Sequence, residues 1–305
     1  MICDCQSRSY SIFTSFRQFN RGGGQDNATK ETDSSSFEVS RKMYNKQASN
    51  WVRTEPRCLS DFTGRPIVFK MLAESLVDNP LRSITVLDVG CGEGYCARKA
   101  IELGASKVIG SDISVEMINS AKATAKGDER LKFFSAPCVE LLQKMKEHHE
   151  YLGIENCSEE SVDIAIAVFL FNYLTTTEME ETMLQLHTAL KPGGDFIFSV
   201  PHPSVIMFDH DKNAVFQFNS EGKGYFSSMN EKLFGQISTI DGSKLNIMNV
   251  YKTLNDYIHS ISAAGFQIID IQEAGVTEKH LVTNRDFFQS VKDRPLHLIF
   301  KLRKP

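Results

Sequence analysis

From residue 84 to residue 200 the chain alternates short apolar runs with amphipathic segments, and this rhythm constrains its fold most. The runs "ITVLDV", "KVIGSDI", "LKFFSA", "VDIAIAVFLF" and "DFIFSV" read as strands. Between them, "YCARKAIELG" reads as a helix closed by Gly104. "SVEMINSAKATAKG" reads as one with Ser114 as N-cap and Gly127 just beyond its end. A charged helix and loop lead to Ser161, and "TTEMEETMLQLHTAL" is a helix stopped by "KPGG". Strands that alternate with helices argue a parallel sheet covered on both faces. The runs lack clean polar alternation, as expected of strands buried on both sides. Two helices, "FEVSRKMYNKQASNWV" and "RPIVFKMLAESLVDN", precede this region. Residues 201–250 hold few long periodic segments and many aromatics. The helix "TLNDYIHSISAAG" and the strands "FQIIDIQEA" and "HLIFKLRK" follow.

The formal net charge is −4, with no strong basic field, so nucleic acid is not an expected partner. The longest apolar run, Ile164 to Phe171, is far short of the about 20 residues that span a bilayer, and no membrane span is expected. Seven cysteines, odd in number and scattered without a CxxC, argue for a reducing compartment and against a disulfide framework or a metal site. Residues 1–36 are Ser-rich, carry Arg8, Arg17 and Arg21, and have Asp4 as the one acid before residue 26. This reads as a disordered tail or as an organelle transit peptide. The compartment is accordingly cytoplasmic or, with a transit peptide, mitochondrial or plastid.

Three glycines, Gly90, Gly92 and Gly94, end the first strand, where ligands of open α/β sheets bind. The third comes one residue too early for the dinucleotide fingerprint, and no Lys-Ser or Lys-Thr pair follows as a phosphate loop requires. Asp88, just before the glycines, makes the loop mouth negative, which suits a cation better than pyrophosphate. Asp112, 24 residues further on at the end of strand 2, stands near the spacing at which an acid reaches ribose hydroxyls. A nucleoside with ribose hydroxyls, positive charge and no phosphate fits both acids, and S-adenosylmethionine has these features.

On these residues the chain resembles the class I S-adenosylmethionine-dependent methyltransferases, with a methyltransferase-11/12-type domain. "VLDVGCGEG" resembles their first motif and "VIGSDIS" their second. "SVDIAIAVFLFNYL" resembles the strand-4 segment and "LKPGGDFIFSV" the turn into strand 5. Members of one subgroup carry "FSVEHP" and "YHRTLxxYxxxLxxAGF", similar to "FSVPHP" and "VYKTLNDYIHSISAAGF" here. Tyr251 replaces the second segment's histidine, so a base role for that histidine does not carry over.

The resemblance implies a Rossmann-like α/β fold: a seven-stranded, mostly parallel sheet with helices on both faces and the last strand antiparallel. The domain would span 37–305, with 201–250 as an acceptor-side insertion or lid. It implies that Gly90, Gly92 and Gly94 admit the cofactor, Asp88 meets its amino-acid end and Asp112 its ribose. Ile113, with Ala136 or Cys138, would meet the adenine. Ala167, Val168 and Phe169 would line the methionine portion, and Tyr44 would cover the cofactor. His202, just past strand 5, is either a base for the acceptor or a loop-fixing residue. The implied activity is methyl transfer to a small-molecule acceptor. An RNA or protein methyltransferase and a non-catalytic cofactor-binding module are the alternatives.

Overall fold

A computed structural model describes residues 36–52, 55–77, 83–154, 159–208 and 215–305. The expectation of a tail or transit peptide, with Cys3, Cys5 and Cys157, lies outside these. The central sheet holds β1 (Thr85–Val89), β2 (Lys107–Asp112), β3 (Leu131–Ser135), β4 (Val162–Val168) and β5 (Leu190–Pro201). A small sheet follows: β6 (Phe216–Phe218), β7 (Lys232–Ser238) and β8 (Lys244–Val250). The central sheet is then completed by β9 (Gln267–Ala274) and β10 (His297–Arg303). Its order is β3-β2-β1-β4-β5-β10-β9. The first five strands pair in parallel, and β10 is antiparallel to both of its neighbours. The expected seven-stranded, mostly parallel sheet with an antiparallel last strand is therefore present.

The helices are α1 (Ser36–Trp51), α2 (Leu59–Thr63), α3 (Arg65–Val77), α4 (Tyr95–Glu102), α5 (Val115–Thr124), α6 (Leu141–Glu147) and α7 (His149–Leu152). After them come α8 (Thr176–Ala189), α9 (Leu254–Ala263), α10 (Glu278–Thr283) and α11 (Arg285–Phe288). Alternate residues of one strand feed two cores, as the period of two dictates. Leu87, Ala165 and Phe198 pack with Met145 of α6, Met183 of α8 and Ile261 of α9. Val86, Ile164 and Ile197 pack with Leu72 of α3, Ala97 of α4 and Ile118 of α5. Both faces are covered, which is why the strands read as apolar without alternation.

Helix starts follow their local chemistry. The Ser114 hydroxyl accepts from the Met117 amide at 3.1 Å, the expected cap of α5. Thr175 and Glu178 form a reciprocal capping box on α8, and Thr253 and Asp256 do the same on α9. The buried Asp195 joins three elements. It accepts from Ser75 of α3 at 2.7 Å and from Arg303 of β10 at 2.8 Å, and pairs with Lys301 at 3.3 Å.

Two local expectations need correction. The fourth strand stops at Val168. Phe169 takes a positive φ of 59°, and a short 3-10 turn, Phe171–Tyr173, replaces the expected strand end. "KPGG" is not a turn outside the sheet. α8 ends at Ala189, and these residues fall inside β5, where the β4–β5 register shifts and Gly193 absorbs a φ of 75°. Residues 201–250 hold the antiparallel sheet β6-β7-β8, which leaves little periodicity because its strands alternate irregularly between burial and exposure.

Candidate active site

β1 is the switch point of the sheet: β2 and β3 lie on one side of it, β4 and β5 on the other. At its carboxyl end the Gly90 and Cys91 amides donate to the Ser111 carbonyl at 2.8 and 3.0 Å, which folds the glycine loop over β2. Asp112 staples the loop. Its Oδ2 accepts from the Gly92 amide at 2.9 Å and its Oδ1 from the Ser114 amide at 2.8 Å. The glycines differ in purpose. A Cβ on Gly90 would meet Leu170 at 3.0 Å, and one on Gly94 would meet Phe133 at 3.0 Å, so protein packing excludes side chains there. A Cβ on Gly92 would meet nothing within 4 Å. Gly92 has a φ of 55° and borders open space, as befits a backbone left bare for a ligand.

A cavity opens from this loop, enclosing about 1430 Å³ including its solvent-filled mouth. Of the residues singled out from the sequence, Tyr44, Asp88, Gly90, Gly92, Asp112, Ile113, Ala136, Cys138, Val168 and Phe169 line it. Tyr44 reaches it from α1, donating a short hydrogen bond to the Tyr173 hydroxyl and packing tilted against Trp51 at 5.7 Å. α1 is held over α5 by Ser114, whose hydroxyl donates to the Asn45 side chain at 2.6 Å.

Three expected residues lie elsewhere. Gly94 is the N-cap of α4, closed off by Phe133 and Ala121. Ala167 points into the core with Phe196 and Phe198, because Val168 takes the cavity side and neighbours on a strand alternate. His202 also falls outside the cavity lining. Its Nδ1 accepts from the Ser204 amide at 3.1 Å, which places the ring proton on Nε2, donating to Glu273 at 2.8 Å. Both nitrogens are engaged, so the loop-fixing reading matches this geometry, whereas a base at the acceptor would need to face the cavity.

His297 and Arg65 line the cavity and were not singled out from the sequence. The signal for His297 was available. An antiparallel last strand brings its first residue to the carboxyl edge, and His297 indeed pairs with Pro201 of β5. Burial, reinforced by the Arg65 charge and only partly offset by Asp61, drives its pKa down to about 3, so the ring is neutral. Arg65 donates to Asp61 at 2.6 Å and Ser60 at 2.8 Å, and its guanidinium lies 5.2 Å over the Phe169 ring. Burial pushes the Cys138 thiol up to about 12 and raises Cys91 well above its ordinary value, so neither is a thiolate nucleophile. Lys252 is buried and donates to the carbonyls of Phe171 and Val250 at 2.9 and 2.8 Å, tying β8 to the turn after β4.

The acids carry the electrostatic signature. Asp88 is buried, and its Oδ2 has no hydrogen-bond partner among the described residues. Burial, with Asp112 and Glu93 nearby, pushes its pKa up to about 7, although Arg65 and the Ala97 amide pull the other way. Burial also raises Asp112, opposed by its bonds from Ser114 and Gly92. An orphaned buried carboxylate oxygen beside a bare glycine backbone is a socket for a cation with donors to spare. The residues present fit a phosphate-free, cationic nucleoside.

Fold and socket together resemble those of the class I methyltransferases. Residues 86–194 match the family model described as a methyltransferase domain, and the fold and cofactor class are those of S-adenosylmethionine-dependent methyltransferases. An uncharacterized protein of Haemophilus influenzae is 25% identical over 83% of this chain and 91% of its own length. The N-demethylindolmycin N-methyltransferase of Streptomyces griseus is 24% identical over 79% of this chain and 89% of its own. The crystal structure of an S-adenosylmethionine-dependent methyltransferase from Mesorhizobium loti superposes with a TM-score of 0.54 at 23% identity, covering 78% of this chain and 96% of that one. Shorter matches, over 21% and 45% of this chain, include a ribosomal protein L11 methyltransferase and tRNA U34 carboxymethyltransferases.

The raised Asp88 gives a pH dependence of fixed sign. Its pKa near 7 means that the free folded protein holds a proton there at acidic pH. A cationic ligand favours the ionised carboxylate, so binding expels that proton. S-adenosylmethionine affinity is expected to rise about tenfold per pH unit below 7 and to level off above it. The folded state also binds more protons here than the unfolded chain, so this group's contribution to stability falls as pH rises from about 4 through 7. Calorimetry from pH 5 to 8 checks the first expectation, and a flat affinity over that range would remove Asp88 from the socket.

Proposed function

We propose that this enzyme transfers the methyl group of S-adenosylmethionine to a small-molecule acceptor. The observation that carries the reading is the far wall of the cavity. Phe216, Phe218, Ile237, Ile247 and Met248 of the small sheet line it, so residues of 201–250 serve as an acceptor-side roof on a domain spanning 37–305. A roof from the chain's own strands suits an enclosed acceptor better than a polynucleotide or a protein surface. The Streptomyces griseus relative is by name a methyltransferase of a small molecule.

Asp112 holds the ribose hydroxyls in this reading, with Ile113, Ala136 and Cys138 against the adenine and Tyr44 over it. Asp88 takes the amino-acid end, and the bare backbone at Gly92 lets it approach, with Gly90 lining the cavity beside it. Val168 and Phe169 border the methionine portion. When bound, the cofactor supplies a methyl group already activated on a positively charged sulfur. The chain's task is then to align the acceptor and exclude water. Among the described residues no group of side chains is arranged to hold a metal ion, and no helix is long and apolar enough to cross a membrane.

The test supplies methyl-labelled S-adenosylmethionine with separate small-molecule, RNA and protein fractions. Label is expected in the small-molecule fraction. Label in RNA or protein would replace this reading with one of its alternatives, and label in none, with the cofactor bound, would leave a binding module.

A further inference from the structure

His297 presents two ring edges to different surroundings. The Thr63 hydroxyl lies 3.0 Å from Nδ1 and itself donates to the Leu59 carbonyl at 2.9 Å. A hydroxyl has one hydrogen to give, so with that hydrogen on Leu59 it receives from the ring. The network thereby assigns the ring hydrogen to Nδ1 and leaves Nε2 a bare acceptor. The Nδ1 edge is shut against α2 and α3. A Cβ on Gly64 would come within 3.2 Å of the ring Cγ and 3.4 Å of Nδ1. Phe169 packs edge-on at 5.0 Å and Phe216 of the roof lies 6.5 Å away. Among the described residues nothing hydrogen-bonds Nε2, although the ring lines the cavity.

We infer that His297 Nε2 selects the acceptor, and that the acceptor belongs to a class carrying a hydroxyl or N–H donor on an apolar body. This rests on the reading of the cavity as a methyl-acceptor chamber. The apolar body follows from the roof, where Phe216, Phe218 and Ile247 offer no polar side chain. The donor follows from the ring, since an acceptor facing the cavity is costly to leave unpaired once a ligand displaces water from it, and a molecule without a donor cannot satisfy it. His297 is not the proton sink. A proton on Nε2 would create a buried imidazolium beside Arg65, against the depression that Arg65 and burial already impose on the ring, with Asp61 only partly offsetting and His202 adding to it. Its part is recognition and orientation.

The test uses the protein loaded with S-adenosylhomocysteine and two probes, 2-naphthol and 2-methoxynaphthalene, which share a ring system and differ in the donor hydrogen. Wild-type protein is expected to bind the naphthol about tenfold more tightly, the worth of one net hydrogen bond. His297→Phe keeps an aromatic ring against Phe169 and is expected to lose that preference while binding S-adenosylhomocysteine unchanged. On wild-type protein labelled with ¹⁵N-histidine, the naphthol should shift one unprotonated Nε2 resonance and the ether should not. This measurement stands even where the variant folds poorly. No naphthol binding, equal binding of the two probes, a preference that survives in His297→Phe, or an unmoved Nε2 signal overturns the inference. Failure of S-adenosylhomocysteine to bind wild-type protein would instead overturn the proposed function beneath it.

Discussion

Asp112→Ala is expected to lower S-adenosylmethionine affinity by roughly a hundredfold to ten-thousandfold in titration calorimetry, if the carboxylate holds the ribose as proposed. Two hydrogen bonds from ribose hydroxyls to a buried carboxylate are worth about 1.5–3 kcal/mol each, and every 1.4 kcal/mol is about tenfold. The same carboxylate now accepts from the Gly92 and Ser114 amides, so its loss also loosens the glycine loop. Asp112→Asn keeps an oxygen acceptor for one amide and separates the two effects: it is expected to retain the fold and still bind weakly. Unchanged affinity in Asp112→Ala would reduce the residue to a loop staple.

Asp195→Ala is expected to cost about 3–5 kcal/mol of folding stability, read by denaturant unfolding, because it strands a buried cation. Burial by itself would raise the Asp195 pKa. The bonds from Arg303 and Ser75 and the Lys301 charge outweigh it and hold the carboxyl below its ordinary range. Lys301 is buried with it, whereas Arg303 is partly exposed and can turn to water. Replacing both charges, as Asp195→Leu with Lys301→Met, is expected to recover most of the loss, since the penalty comes from the unpaired partner. A cost under ~1 kcal/mol for Asp195→Ala, the worth of an exposed pair, would show that Lys301 escapes to solvent.

The donor half of the site was legible because its chemistry is local. Acid, three glycines and a second acid fall within Asp88–Asp112, and the strand that precedes each acid fixes where it emerges. Ten of the residues singled out there and around it meet in one cavity. Of the proposed acceptor half, the segment 201–250 was legible as a whole but its individual residues were not, because the members lie far apart in the chain. Arg65 arrives on α3, Phe216 on β6, Met248 on β8 and His297 on β10. His297 could have been found from the expected antiparallel last strand, whose register on β5 brings its first residue to the rim. His202 drew attention by position alone, and the alternation that aims Pro201 at the cavity turns its neighbour toward Glu273. The turn at Phe169 was hidden too, since an aromatic with positive φ leaves no mark in an apolar run.

The most direct test of the account is a crystal structure of the protein with S-adenosylhomocysteine. The account predicts ribose hydroxyls on Asp112, the amino group on Asp88, backbone contact at Gly92, and a sulfur facing the open space between Phe169 and Met248. A ligand bound with its ribose away from Asp112, or with its sulfur turned from the roof of β6–β8, would contradict it.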